Sequence, residues 1–403
     1  MRLPITVTLG TRRPPAVAAL VAVPLALALG LSACSSGGSA AAPSSAPSSV
    51  PPSAASSAPG GGSASPTSPP AAPADPALPS LAGDVATGLE VPWGVTFAPD
   101  GSALVAQRRT GDVVRVRAGA APVTVGRVPD VYDDGEGGLL GLALAPGDGR
   151  TLYAYVTTRD DNRIVTLPYD PAAAAGRGLG EPTVVFSGLR RAWRHNGGRI
   201  VFGPDGKLYA GVGDAGDTAT SQDRASNNGK ILRLDPDGGV PADNPFPGSP
   251  VWSYGHRNVQ GLAFDSAGRL WATEFGQSTW DELNLVEKGA NYGWPVVEGK
   301  EGRAGFVDPQ AVWPTNQASP SGLAIVDDVA YLGALRGARV WVVPLAGGAA
   351  GTPVAALTGA LGRIRTVEAA PDGSLWLTTS NRDGRGRPKA GDDRVVRATL
   401  TTG

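Results

Sequence analysis

A single phrase returns six times along this chain, and it constrains the fold more than any other feature. Three copies begin at Gly94-Val95-Thr96-Phe97-Ala98-Pro99-Asp100-Gly101, Gly141-Leu142-Ala143-Leu144-Ala145-Pro146 and Gly198-Arg199-Ile200-Val201-Phe202-Gly203-Pro204-Asp205-Gly206. Three more follow at Gly261-Leu262-Ala263-Phe264-Asp265, Gly322-Leu323-Ala324-Ile325 and Val367-Glu368-Ala369-Ala370-Pro371-Asp372-Gly373. Most run on into a short apolar stretch such as Lys207-Leu208-Tyr209-Ala210 or Arg269-Leu270-Trp271-Ala272. Pro presets φ and Gly accepts φ > 0, so each copy reads strand, tight turn, strand. One hairpin cannot bury its apolar face, but six at a spacing of roughly 50 residues can do so by packing around an axis. The expected fold is all-β: a six-bladed β-propeller of four-stranded antiparallel blades. Its chemistry is expected where loops converge at one end of the central channel.

The ends of the chain read differently. Arg2, Arg12 and Arg13 precede an apolar stretch from Val17 to Leu31, which is interrupted by Pro24 and closes on Leu31-Ser32-Ala33-Cys34. Residues 1–33 therefore read as an export signal. The ending resembles the bacterial lipobox, in which cleavage leaves a lipidated cysteine, here Cys34; a plain secretory signal with an incidental cysteine is the alternative. Cys34 is the only cysteine, which excludes an intrachain disulfide and a cysteine-built metal site. Residues 34–80 are almost wholly Ser, Ala, Pro and Gly, a composition that cannot offset the entropy of ordering. They read as a tether, with a coil span on the order of 40 Å. It would hold residues 81–403, the propeller, off the outer face of the bacterial cell membrane. The expected membrane contact is through the lipid alone.

Within the propeller, runs such as Ala103-Leu104-Val105-Ala106 and Asp112-Val113-Val114-Arg115-Val116 have strand length between turn signals. Formal net charge is −1, so nothing steers the whole molecule toward nucleic acid or anionic lipid.

The chain has two histidines. His195, in Arg194-His195-Asn196-Gly197-Gly198-Arg199, approaches the third repeat at a loop-to-strand junction. There it is a candidate general base facing the channel, or a loop histidine satisfied by backbone groups. Asp214 ends the strand that returns beside it, where a carboxylate can orient an imidazole or simply cap a turn with Asp217. His256-Arg257-Asn258-Val259-Gln260 enters the fourth repeat, and Arg257 there can stabilise a developing oxyanion or pack between blades. The segment Glu274-Phe275-Gly276-Gln277, with Asp281 and Glu282 beyond, can present backbone carbonyls to Ca²⁺, though without EF-hand spacing. Arg336, Arg363 and Arg365 flank the last two repeats. Arg363 and Arg365 share one strand face, and converging arginines suit a multiply charged anion. Trp313 offers a flat face for a planar ring. A solvated charged face and a core tryptophan are the plainer alternatives.

At these segments the chain resembles the glucose/sorbosone dehydrogenase family of soluble quinoprotein aldose dehydrogenases. The likeness runs from about residue 85 to 400. It rests on Gly135-Glu136-Gly137-Gly138-Leu139-Leu140-Gly141, His195 through Asp214, Tyr254 through Gly261, Glu274-Phe275-Gly276-Gln277, Asp281-Glu282-Leu283-Asn284, Lys288-Gly289-Ala290-Asn291-Tyr292-Gly293-Trp294-Pro295 and Arg363-Ile364-Arg365, in that order. The resemblance implies pyrroloquinoline quinone and Ca²⁺ at one end of the channel, an aldose substrate oxidised at its anomeric carbon to a lactone, and an external electron acceptor. By it, His195 takes the sugar hydroxyl proton, hydride passes to the quinone, Arg257 stabilises the oxygen and Asp214 supports His195. The carbonyls of Gly276 and Gln277 would hold Ca²⁺. Asn258, Gln260, Trp313, Thr315, Arg363 and Arg365 match cofactor-contacting positions.

Two positions depart from the family pattern. Glu136 stands where the best-known members have glutamine, bringing negative charge toward a cofactor with three carboxylates. It is protonated there, or pairs with an arginine, or the cofactor sits differently, and Glu136→Gln is expected to tighten quinone binding. Leu335 stands where some members have lysine, a charge that Arg336 can take over. These departures support an alternative reading, a redox-inactive cell-surface propeller that binds a glycan or protein. A Ca²⁺-dependent lactonase is a third, but it needs a carboxylate-rich channel site that the motifs do not supply.

Overall fold

The computed structural model describes residues 75–401 apart from residue 148. The signal, Cys34 and nearly all of the tether lie outside the described residues. Among those described, no helix is long and apolar enough to cross a membrane.

Six antiparallel sheets stand around one axis. Blade one comprises Pro92–Phe97, Ala103–Gln107, Asp112–Val116 and Val123–Arg127, and blade two Leu139–Leu144, Thr151–Thr157, Asn162–Pro168 and Thr183–Leu189. Blade three is Ile200–Phe202, Leu208–Val212, Lys230–Leu234 and Val251–Tyr254; blade four is Val259–Phe264, Leu270–Glu274, Trp280–Val286 and Ala311–Pro314. Blade five has Pro320–Val326, Val329–Ala334 and Arg339–Ala346, with Ala349–Ala350 and Val354–Ala356 both pairing to the last of these. Blade six takes Ile364–Ala369, Leu375–Thr379 and Val395–Thr401 from the C-terminal end, and its outer strand, Leu78–Ala86, from the N-terminal end. That strand starts inside the stretch expected to be tether. It bonds to the last strand from Leu78↔Thr401 to Ala86↔Val395, so the two ends of the described chain close the ring.

Each repeat copy falls on the innermost strand of a blade, and each Pro-Asp-Gly turn links it to the second strand. In the first copy Gly101 has φ 77° and donates to Ala98 O at 2.9 Å. The leading glycine has a different purpose. Inner strands converge on the axis, and a Cβ at Gly141 would overlap the carbonyl oxygen of Gly198 in the next blade. Gly94 lies equally close to the Leu140 carbonyl, and Gly261 to that of Ser321. The repeat therefore records where neighbouring backbones touch, as well as where the chain turns. Outward from this seam, buried side chains such as Trp93, Tyr155, Leu104, Trp271 and Tyr331 fill the wedges between blades.

Candidate active site

A cavity of about 340 Å³ opens at one end of the channel. Its lining comes from two kinds of loop: those entering an inner strand, which carry Glu136, His195, Arg257, Thr315 and Ser319, and those joining the second and third strands of a blade, which carry Gly276, Gln277, Arg336 and Arg385. Antiparallel pairing puts both kinds on the same face, opposite the Pro-Asp-Gly turns. A second cavity of about 370 Å³ lies among the other ends of the inner strands, beside Arg199, Phe202, Phe264 and Glu368. It holds no histidine, and its Glu368, pushed up to about 7 by burial, faces Arg199 alone, whereas the imidazole–carboxylate pair lies at the first.

His195 is the centre of that convergence. It is 7% exposed, has φ 57°, and its Nδ1 lies 2.7 Å from Asp214 Oδ1. Asp214 is fully buried and also accepts from Gly216 N at 2.7 Å and Trp294 Nε1 at 2.9 Å. Burial pushes the Asp214 carboxyl up, but these hydrogen bonds outweigh it and hold the group below the ordinary aspartate value. An ionised Asp214 fixes the proton on Nδ1 and leaves Nε2 as the basic ring nitrogen. The left-handed backbone at His195 is held by its N–H, which donates to Glu136 Oε2 at 2.8 Å, and by Ala215 N, which donates to its carbonyl at 3.1 Å.

Glu136 is paired with an arginine. Its Oε1 accepts from Arg385 Nη1 at 2.9 Å. Burial raises its pKa, yet the His195 N–H and the Arg385 charge prevail and bring it below the usual glutamate value. The pairing with an arginine is therefore present in the structure.

Arg257 lines the same cavity, and its carbonyl accepts from Asp214 N at 2.8 Å. Nη1 donates to Phe275 O at 3.0 Å, and Nε and Nη2 both donate to Gln277 Oε1, at 3.1 and 2.7 Å. Burial lowers its pKa, against the carboxylates around it. His256, by contrast, is fully buried between Ser253 Oγ and Glu274 Oε2, both at 2.8 Å, and stacks on Tyr292. It supports the fold.

Two groups of residues bear on bound cofactors. Asn258 Nδ2, Arg365 Nε and Arg108 Nε are buried donors without an acceptor among the described residues. Arg365 is deeply buried, which lowers its pKa to about 9, and its Nη1 donates to Gln260 Oε1 at 2.7 Å. Orphaned donors on cationic side chains fit a polycarboxylate. At the Gly276-Gln277 turn, Glu298 Oε1 accepts the N–H groups of Gln277, Ser278, Thr279 and Trp280 at 2.8–3.2 Å. No donor among the described residues engages the carbonyls of Gly276 and Gln277. Burial pushes the nearby Asp281 up to about 6. Free carbonyl oxygens beside a buried carboxyl are a donor set for a hard cation. Among the described residues no three His, Cys, Asp or Glu side chains form a metal cage, so the backbone would supply much of such a site.

The remaining expectations separate. Thr315 and Arg336 line the cavity. Arg363 sits at the same end but is held by Asp383, at 3.0 Å from Nε and 2.8 Å from Nη2. Trp313 does not offer a stacking face. It is 3% exposed and packs against Trp341 at 5.6 Å, because alternation along Ala311–Pro314 sends it into the core with Ala311. Arg385, Arg108, Trp294 and Glu298 also contact the site residues or the loops that carry them, and the sequence does not single them out as candidates. Only Trp294 carried a signal, within the quoted Asn291–Pro295 segment.

A six-bladed propeller with an imidazole–carboxylate pair facing an arginine, above orphaned cationic donors, is the frame of a cofactor-dependent oxidoreductase. The glucose/sorbosone dehydrogenase family profile matches residues 89–387, and the chain belongs to that family. It is 51% identical to the PQQ-bound aldose sugar dehydrogenase of Streptomyces coelicolor, with a TM-score of 0.79 over 81% of this chain and 100% of that one. A glucose dehydrogenase-type oxidoreductase structure from Thermus thermophilus is 41% identical, with a TM-score of 0.73 over 79% and 100%. The aldose sugar dehydrogenase of Escherichia coli is 32% identical over 73% of this chain and 89% of its own.

Proposed function

We propose that this protein is a PQQ-dependent aldose dehydrogenase that oxidises the anomeric carbon of an aldose to a lactone and passes the electrons to an external acceptor. The observation that carries the proposal is the 2.7 Å His195–Asp214 pair facing the cavity from within this family's propeller. His195 Nε2 takes the proton of the C1 hydroxyl, and Asp214 stabilises the imidazolium that results. Arg257, anchored by Phe275 O and Gln277, meets the charge that builds on that oxygen. Asn258, Gln260, Thr315, Arg336, Arg363 and Arg365 would hold the quinone, with Arg108 beside them, and the Gly276 and Gln277 carbonyls would hold Ca²⁺. When bound, the quinone supplies a hydride acceptor and Ca²⁺ a Lewis acid. Export and lipidation at Cys34 rest on the sequence.

Spectroscopic titration with pyrroloquinoline quinone, with and without Ca²⁺, tests the assignment. Tight binding that needs Ca²⁺ and weakens in Arg365→Gln and Asn258→Ala is expected. If no quinone binds, the redox-inactive binding-module reading gains the ground.

A further inference from the structure

Two guanidinium groups at the cavity, those of Arg194 and Arg336, have neither a counter-ion nor a hydrogen-bond acceptor among the described residues. Arg336 is already assigned to the quinone. Arg194 is not, and it immediately precedes His195.

The carboxylates on the surrounding loops are engaged elsewhere. Asp214 holds His195 and Trp294, Asp217 pairs with Arg190, and Glu136 pairs with Arg385. The Arg194 side chain is nonetheless located. Its guanidinium lies 5.4 Å from the centre of the Trp193 ring, and its Nε packs against Gly216, where any Cβ would crowd it. Trp193 is 57% exposed, while its carbonyl is fixed by Glu136 N at 2.8 Å. A permanently charged fork therefore stands beside a flat apolar surface, and both adjoin the residue that accepts the proton. A pyranose offers an apolar face to such a surface, and an anionic substituent on it would supply the missing counter-charge.

Resting on the dehydrogenase reading above, we infer that the sugar subsite favours acidic aldopyranoses. Their carboxylate or phosphate binds Arg194, and the ring lies against Trp193.

The test compares glucose, glucuronic acid and glucose 6-phosphate on the protein loaded with quinone and Ca²⁺, at low ionic strength. At least one acidic sugar is expected to exceed glucose in kcat/KM by about tenfold, the worth of one charge-assisted contact, and mainly through KM. The advantage shrinks with added salt, falls to near parity in Arg194→Gln and survives in part in Arg194→Lys. Whether glucuronic acid or the phosphate gains identifies the anion. Binding is read separately by saturation-transfer NMR with methyl glucuronide, methyl glucoside and methyl glucoside 6-phosphate, all blocked at C1 against oxidation. Preferential, Arg194-dependent binding of a charged glycoside supports the inference even if no sugar is turned over; the dehydrogenase reading then fails instead. Glucose equal to or better than both acidic sugars, or Arg194→Gln lowering all three alike, overturns it.

Discussion

Asp214 does two things for His195 at once: it sets which nitrogen carries the proton and it fixes the ring. Replacing it by Asn keeps the shape and removes the charge. Asp214→Asn is expected to lower kcat by about two to four orders of magnitude while quinone affinity changes little. The same carboxyl shapes stability. Its folded pKa is depressed, so its contribution is fully present above the ordinary aspartate range and is lost as pH falls through the lowered value. The Asn variant should therefore show a flatter loss of stability on acidification, measured by urea unfolding from neutral pH downward. Glu136 carries a second prediction at this scale. Its charge is matched by Arg385, so Glu136→Gln frees a guanidinium for a tricarboxylate, and quinone should bind more tightly. Arg385→Ala should bind it more weakly. Weaker binding in Glu136→Gln would show that the carboxylate matters more through its hold on the His195 N–H.

Among the elements, the inner strands carry the tightest constraint, because they meet backbone to backbone. Gly141→Ala places a methyl group against the Gly198 carbonyl, on the loop that leads from His195 into blade three. A loss of about 2–3 kcal/mol in denaturant unfolding is expected. The same change at Gly101, whose φ is positive but whose surroundings are open, costs only local backbone strain. This contrast explains what was legible in the sequence. Strand, turn and strand recur in the residues themselves, so the blades and the loop entering each inner strand could be read directly. His195 and Asp214 sit at the two ends of one hairpin, and their proximity follows from its geometry. Trp313 failed because sequence alone does not say which face of a blade's outer strand is inward. Arg385 carried no signal because its partner lies 249 positions away, on the loop entering blade two.

At the scale of the whole molecule, ring closure decides whether the site exists. Leu78–Ala86 completes blade six, and the Arg385 loop joins that blade's second and third strands. Removing the chain through Ala86 exposes the edge of the last strand, and a broadened, less cooperative thermal transition is expected, with loss of quinone binding. A chain starting before Leu78 should behave as the full ring. The central claim is that His195 removes a proton as hydride leaves the anomeric carbon within this ring. The most direct measurement is quinone- and Ca²⁺-dependent dye reduction with glucose, glucuronic acid and their C1-deuterated forms, in the native protein and in His195→Ala. A primary isotope effect on at least one sugar, with turnover lowered by about 10²–10⁴ in the variant, is the predicted result. Turnover undiminished in His195→Ala, or no isotope effect under single-turnover conditions, would contradict it.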